Sequence, residues 1–411
     1  MSGAPATVGG RLSALPVWQA RLAGMAACCV PGVLLRVSGA HLPPVLGLLA
    51  FGSAVVAASF MLASAAEAAE IDLAPGIAVA AVALVAVLPE YVIEIYFAFT
   101  ARTEFVTASL TGSTRLLLSC AVGMPAIASV VLARRGGRRL EFVDLKPHVR
   151  LDIAVIAAAS AYAPVIVLRG HLSWPDAVVL IGLYVLYLRR NSTGSPEPPH
   201  LVGIAAELGK LDKRERRRWV GGIMLFSALA VLVTAEPFAD SVMGAGMRIG
   251  ISPYLLVQWL VPIATESPEL VIAFVLITHQ RAGQGVAVLL GSAVSQWTLA
   301  LGTLPIAFAA GAGKGPLPLL GREQIELLLT MGEAMLAIAV LVTLRLKRSD
   351  SVLMLTLFVL QLALPILAIR AALTLVYIVL AVDILASERW AVPLLRQTLW
   401  PRSAKPRPDP T

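Results

Sequence analysis

A chain of 411 residues that is 58% hydrophobic and 14% charged is too apolar for a soluble globular protein, which carries roughly 25% charged residues. Its net charge of +8 comes from Arg/Lys clusters in a few loops, the distribution that membrane topology selects, so no nucleic-acid partner is expected. Cys28, Cys29 and Cys120 fall in apolar segments without C-x-x-C spacing, which argues against a disulfide framework or a thiolate metal site.

The N-terminal segment, 1–44, is basic, but no small-residue cleavage site follows a clear apolar core, so a cleaved leader is not expected. Within it, 22–40 is interrupted by Pro31, Gly32 and Arg36 and reads as a short interfacial piece or an extra helix. Eleven apolar runs then follow, at 45–66, 74–100, 104–133, 151–169, 174–189, 219–235, 252–279, 284–311, 325–346, 351–369 and 371–387. Most approach the length of about 20 residues that crosses a bilayer as a helix. The pattern predicts an all-α polytopic membrane protein surrounded by a lipid bilayer. The densest Arg/Lys lies in the 3–4 loop (ARRGGRRLEFVDLKPHVR) and the 5–6 linker 190–218, which contains NSTGSPEPPH and KRERRR. Arg281, the Arg345/Lys347/Arg348 group and the tail of 370–411 fall on the same side if the spans alternate, and the positive-inside rule makes that side cytoplasmic, in a plasma (inner) membrane. Trp174, Trp219 and Trp390 near span ends read as interfacial anchors.

Two stretches repeat one another. Pro89-Glu90 matches Pro268-Glu269, Gly112-Ser113 matches Gly291-Ser292, and Gly123 matches Gly302, all offset by 179 residues (268 − 89, 291 − 112, 302 − 123). PDAVVLIGLYVLYL at 175–188 resembles SDSVLMLTLFVLQL at 349–362, offset by 174 (349 − 175). The unit is five spans, 45–189 and then 219–369. An odd number of crossings inverts the second copy, which gives two inverted five-helix repeats in a ten-helix core, the architecture of secondary transporters. The last span, and the 22–40 segment if it crosses, are additions to that core.

Ionisable groups within the spans point to the function. A carboxylate at membrane depth costs at least about 2.5 kcal/mol, so Glu90, Glu94, Glu266 and Glu269 need a reason to be there. Spacings of four and three put each pair on one helix face. Pro89, Pro262 and Pro268 remove backbone donors and free carbonyls, among them those of Val85 and Ala264. The expectation is a helix broken at Pro268, with Glu269 lining an oxygen-rich cage for a hard cation such as Ca²⁺, Na⁺ or a proton. The duplicated glutamates, Glu90 and Glu269, are the principal metal ligands on this reading; Glu94 and Glu266 have no repeat mates. The Gly-Ser pairs serve as hydroxyl ligands, as points of close helix approach, or as both.

The repeat TESPELVIAF…LLGSAVSQ, with its partner VLPEYVIEI…LTGSTRLL, resembles the α-repeats of the calcium/cation antiporter superfamily, whose best-known branch is the sodium/calcium exchangers. The resemblance implies a ten-helix exchanger core with cation sites where four repeat helices meet. It carries Glu90 and Glu269 onto the central acidic ligands, Thr265 onto the threonine, and Ser113 and Ser292 onto the serines. This chain departs from the pattern at Ala86, Val87, Thr114 and Leu117 in the first copy, and at Glu266 and Gln296 in the second. Arg115 adds a fixed positive charge; pointing inward, it would neutralise a glutamate such as Glu94 and remove one cation site. The implied activity is secondary antiport of Ca²⁺ or another cation against Na⁺ or H⁺, with inorganic cations as partners and no cofactor. Two other readings stand beside it: a degenerate, non-transporting homologue acting as regulator or scaffold, and a membrane-embedded carboxylate hydrolase. The latter is disfavoured because His41, His148, His171, His200 and His279 are scattered and no HExxH occurs.

Overall fold

The computed structural model describes residues 16–72, 87–134, 141–192, 201–312 and 315–399. Outside these residues lie the first half of the span expected at 74–100, Ala86 and the Val85 carbonyl, most of the Pro/Ser linker, Arg11, and the tail's Arg402, Lys405 and Arg407.

The chain is a helical membrane protein. In order come α1 (Val17–Ser38), α2 (Pro44–Ala69), α3 (Leu88–Phe99), α4 (Thr103–Arg134), β1 (Phe142–Asp144), α5 (Val149–Arg169), β2 (His171–Leu172) and α6 (Trp174–Asn191). After α7 (Ile204–Gly209) follow α8 (Lys213–Ile249), α9 (Pro253–Thr278), α10 (Ala282–Ala312), β3 (Leu317–Pro318), α11 (Gly321–Leu341), β4 (Arg345–Lys347), α12 (Arg348–Ala363), α13 (Leu367–Ser387) and α14 (Ala391–Leu399). Among the described residues, nine of these helices are long and apolar enough to cross a membrane. Small residues allow close helix approach: an added Cβ on Gly47 would fall 2.7 Å from the Ser241 hydroxyl, and one on Gly52 would lie 3.3 Å from Phe238, so α2 rests close against α8.

Two short antiparallel ladders display the duplication. β1 pairs with β4, joining the segment after α4 to the segment after α11; β2 pairs with β3, joining the segments that follow α5 and α10. Strands at equivalent places in the two halves thus exchange partners across the pseudo-two-fold axis. The same holds at the N-termini of α6 and α12. Asp176 accepts the Ser173 backbone N–H (2.7 Å), and Asp350 accepts that of Lys347 (3.3 Å), three residues into each helix. The β1–β4 ladder also places the 3–4 and 9–10 connections on one face, here called the basic face.

Helix limits differ from expectation at three places. The 22–40 segment is part of a 22-residue helix, α1, which packs alongside α2 and α8 from a Trp18–Trp219 edge contact (5.2 Å) to an Arg36–Glu236 ion pair (2.5 Å). The span expected at 219–235 extends over Lys213–Ile249, a helix of 37 residues. At 1.5 Å per residue this is about 55 Å, so the KRERRR run forms helix on the basic face and is not part of a flexible linker. Its far end was obscured by Glu236 and Asp240, whose charges are met by Arg36 and by Arg102 (2.5 Å). The span expected to reach 369 stops at Ala363, just before Pro365, which disfavours helical geometry for the residue preceding it.

A clamp on the basic face holds α8 to the end of α2. Arg216 grips Asp72 with two parallel bonds (Nε–Oδ2 2.9 Å, Nη2–Oδ1 2.8 Å) and donates to the Leu211 carbonyl (2.9 Å). The Arg216 guanidinium holds the Asp72 carboxyl below its usual value of 3.8. A depressed carboxyl stabilises the fold above its unfolded pKa and loses that contribution as pH falls through the folded one. Asp72→Asn is therefore expected to lower the melting temperature at pH 7, with the difference from wild type shrinking as the pH falls below 3.8 through the depressed folded-state pKa; thermal scans across pH check this.

Candidate functional site

α3 and α9 carry the four membrane glutamates, and all four are buried. In α3, Pro89 sits in the first turn, where its missing N–H has no intrahelical partner to lose. The following carboxyl, Glu90, is directed into the protein. α9 differs from expectation: it runs as one helix from Pro253 to Thr278 through both Pro262 and Pro268. The carbonyls these prolines release are used in other ways. That of Ala264 accepts the Ser267 hydroxyl (3.1 Å). That of Gln258 lies against Gly112 of α4, where an added Cβ would fall 1.9 Å from the oxygen. Gly112 is thus the point at which α4 closes on α9. Its repeat mate Gly291 has only the Tyr187 hydroxyl within 4 Å, at 3.9 Å, so close approach applies to one Gly-Ser pair and not to the other.

The glutamates are joined through α10. At Gln296–Ala300 this helix widens to a π turn, a local change of register that re-aims side chains. Gln296 Nε2 donates to Glu90 and lies 3.5 Å from Glu266 Oε1. Glu90 stands beside Glu266 and the Ser113 hydroxyl, while Glu94 is close enough to Glu266 to feel its charge. Glu266, which has no acidic repeat mate, is therefore the centre of the cluster, and Glu94 belongs to it. Thr265 is buried with its hydroxyl on the Val261 carbonyl (3.1 Å), within its own helix. The next residue of the π turn, Trp297, donates to Ser160 (3.0 Å) and pins α10 to α5.

Acceptors exceed donors here. Glu90 Oε1, both oxygens of Glu94, Glu269 Oε2, Ser113 Oγ and Gln296 Oε1 are buried without a hydrogen-bond partner. Acceptors collected in this way suit a metal ion or protons. Glu90 and Glu266 share the Gln296 amide donor, and carboxyls brought together in this way favour a proton or a cation between them. Among the described residues, however, no three acidic, His or Cys side chains converge closely enough to chelate a metal ion.

Glu269 is placed at the base of a vestibule. A cavity of about 470 Å³ is lined by Glu67 and Glu70 of α2, His148 and Asp152 at the start of α5, Tyr187 and Asn191 at the end of α6, and Glu269, Ser292 and Ser295 at its depth. His148, Asn191 and Glu70 stand at helix ends on the basic face, so the cavity leads from that face to Glu269. Sequence reasoning missed Glu67, Glu70 and Asp152. AAEAAE ends a span and reads as an ordinary solvated terminus, and His148, one of the scattered histidines, also borders this cavity.

The placement of Arg115, open from the sequence, is settled by its partners. The side chain is fully buried, but it pairs with Glu326 of α11 (3.0 Å) and lies over the Trp259 ring (5.4 Å), so it does not neutralise Glu94. Sequence reasoning also overlooked its partners. Glu326 and Glu333 lie seven residues apart on one face of α11, and both are buried. Arg370 of α13 completes the pairing with Glu326, while Ser119 (2.5 Å) and Gln361 (2.8 Å) donate to Glu333. Two glutamates two helical turns apart in a span were the available signal.

Comparison with known proteins gives a consistent outcome. The sequence pattern of the family described as "Sodium/calcium exchanger protein" matches the chain twice, over 43–191 and 219–367. The crystal structure of the H⁺/Ca²⁺ exchanger CAX is similar at 32% identity and TM-score 0.87, over 93% of this chain and 97% of that one. The structure of native YfkE shares the fold at 16% identity and TM-score 0.58, over 90% and 99% of the two chains. An uncharacterized membrane protein of Methanocaldococcus jannaschii, MJ0091, is 24% identical over 221 residues, which is 53% of this chain and 66% of that relative.

Proposed function

Because the chain belongs to the sodium/calcium exchanger family, we propose that it is a secondary antiporter that moves Ca²⁺ in one direction and protons in the other by alternating access. The observation that carries this reading is the cluster of Glu90, Glu94, Glu266 and Glu269, buried, short of donors, and reached by an acid-lined vestibule. With protons on the glutamates, Glu90 and Glu266 lie together as they do here. A divalent cation entering past Glu269 displaces two protons and leaves the net charge of the membrane interior unchanged, which avoids the cost of burying uncompensated charge. The cargo is held by Glu90 and Glu269, with Ser113, Ser292, Glu266, Glu94 and Gln296 completing the oxygen set when the helices draw in.

Protons are favoured over sodium as the counter-ion by the chain's own substitutions. Val87, Leu117 and Thr114 supply few oxygens in the first hairpin, and Glu266 puts a protonatable group where the family's serine stands. The similarity to a structure described as an H⁺/Ca²⁺ exchanger supports the same choice. The inverted repeat, which supplies equivalent glutamates from both halves, favours transport over the hydrolase alternative. The basic face is cytoplasmic on this reading, and the vestibule opens inward.

The test is flux in proteoliposomes. Calcium uptake is expected when an opposing proton gradient is imposed and is expected to be absent under a sodium gradient alone. Uptake driven by sodium at clamped pH would reject the proton as counter-ion, and no uptake under either gradient would support the scaffold reading.

A further inference from the structure

The two-fold relation between the halves gives the vestibule a counterpart on the opposite face. Glu269 and Ser292 correspond to Glu90 and Ser113 at the 179-residue offset (269 − 90), and Asp152 and Tyr187 correspond to Glu326 and Gln361 at the 174-residue offset (326 − 152). On the basic face these positions border water-sized space. On the opposite face the equivalent region is filled, and the groups that fill it are charged.

Glu326 is the hub of that filling. Its carboxylate receives Arg115 Nη1 (3.0 Å), the Arg370 guanidinium and Gln258 Nε2 (3.1 Å), and all four side chains are fully buried. Nearer the surface, the half-exposed Arg322 covers the Tyr254 ring (3.6 Å) and lies 3.9 Å from Glu326. Deeper, Arg115 approaches Gln361 Oε1 (3.5 Å), the counterpart of Tyr187. Arg370 comes from α13, a helix outside both repeats, so the first half has nothing equivalent to it. An accessory helix thus inserts a cation into one of two symmetry-related routes and leaves the other open.

The region also contains polar atoms that the closed arrangement does not satisfy. Arg370 Nε and Nη2, Tyr254 OH, Tyr377 OH and Gln258 Oε1 are buried without hydrogen-bond partners. Well-packed interiors leave few such atoms, and water entering along this line would satisfy all of them. A static structural ion pair has no need of this surplus, but a route that fills with water in another conformation does.

We propose that Arg370 and Arg115, joined through Glu326, form a lock that closes the second access route, and that Arg370 positions this lock so that the route opens only as the basic-face vestibule closes. The proposal rests on the alternating-access reading. Its test uses no cargo, so its outcome is independent of which ions move.

Hydrogen exchange of the full chain in lipid nanodiscs, read by mass spectrometry, distinguishes a lock from a merely structural contact. In Arg370→Gln, exchange is expected to rise by about threefold or more over residues 253–258 and 322–333 and to fall over 148–152 and 187–191, because a released lock shifts the population from one open face to the other. Arg370→Lys, which restores the charge, is expected to recover most of the wild-type pattern. Should Arg370→Gln not fold, the Glu326→Gln/Arg370→Met double variant, which removes both charges and keeps the volume, is expected to show the same opposed changes. A uniform rise at both faces, or unchanged exchange over 253–258 and 322–333, overturns the proposal. Failure of calcium flux in wild type overturns the transport reading instead.

Discussion

Glu90→Gln is expected to abolish calcium-dependent behaviour while leaving the protein folded. The substitution keeps the shape and removes a charge from a site whose affinity for a hard cation depends on its count of carboxylates, so apparent calcium affinity should fall by about 100-fold or more. Glu269→Gln, which removes the acid at the base of the vestibule, should behave alike. The control is Glu333→Gln, an equally buried glutamate whose oxygens are already taken by Ser119 and Gln361; its stabilisation by calcium should persist, since it lies outside the α3–α9 cluster. Two measurements check the contrast: uptake into proteoliposomes, and stabilisation of purified protein by calcium. A ligand at 100 times its Kd raises stability by about 2.7 kcal/mol, and this shift should disappear in Glu90→Gln and persist in Glu333→Gln. Loss of the shift in all three, or in none, would remove the α3–α9 cluster from its role.

Gly112→Ala is expected to be among the most damaging single-methyl changes in the chain, whereas Gly291→Ala, at the equivalent place in the other repeat, is expected to be tolerated in folding. A Cβ at 112 would fall 1.9 Å from the Gln258 carbonyl oxygen and 2.8 Å from its carbon, and neither atom can rotate away as a side chain would. Relief requires α4 to back away from α9, which also displaces Ser113 from Glu90. Overpacking of a well-filled interior costs about 1–3 kcal/mol and occasionally more; a clash with backbone belongs at the upper end or beyond. At 291 the nearest obstacle is a tyrosine hydroxyl at 3.9 Å, ordinary contact distance. Comparison of monodisperse yield and melting temperature for the two variants checks the prediction. Equal behaviour would mean that α4 and α9 are not held at this point.

The contrast between these glycines marks the limit of what a repeat reveals. The shared offset identified Gly112 and Gly291 as equivalent and left each free to be a packing point or part of a ligand site. The freed carbonyl that makes Gly112 indispensable belongs to Gln258, far away in sequence. Glu266 is a similar case. Without an acidic mate in the first repeat it had less claim than Glu269, yet it lies at the centre because α9 passes intact through Pro268 and keeps both glutamates on one continuous helix. The proline signal was read as a break, but the Ser267 hydroxyl takes up the released Ala264 carbonyl and the helix continues.

Amino-acid order alone determined that this protein lives in a bilayer and that its core is a duplicated unit inserted in opposite senses, and it marked glutamates in equivalent spans as the candidate ion ligands. These conclusions follow from local quantities: apolar run length, the parity of spans in the repeat, and the expense of a carboxylate in hydrocarbon. Only the tertiary structure decided which charges meet. Arg115 could be seen to need a partner, but Glu326 is 211 residues away (326 − 115) and Arg370 lies on a helix outside the repeat. An ion pair in a membrane forms wherever packing brings opposite charges together, and packing depends on contacts between helices that no local pattern encodes. The same applies to the vestibule, whose acidic lining comes from α2, α5 and α9, far apart in sequence and brought together only by helix packing.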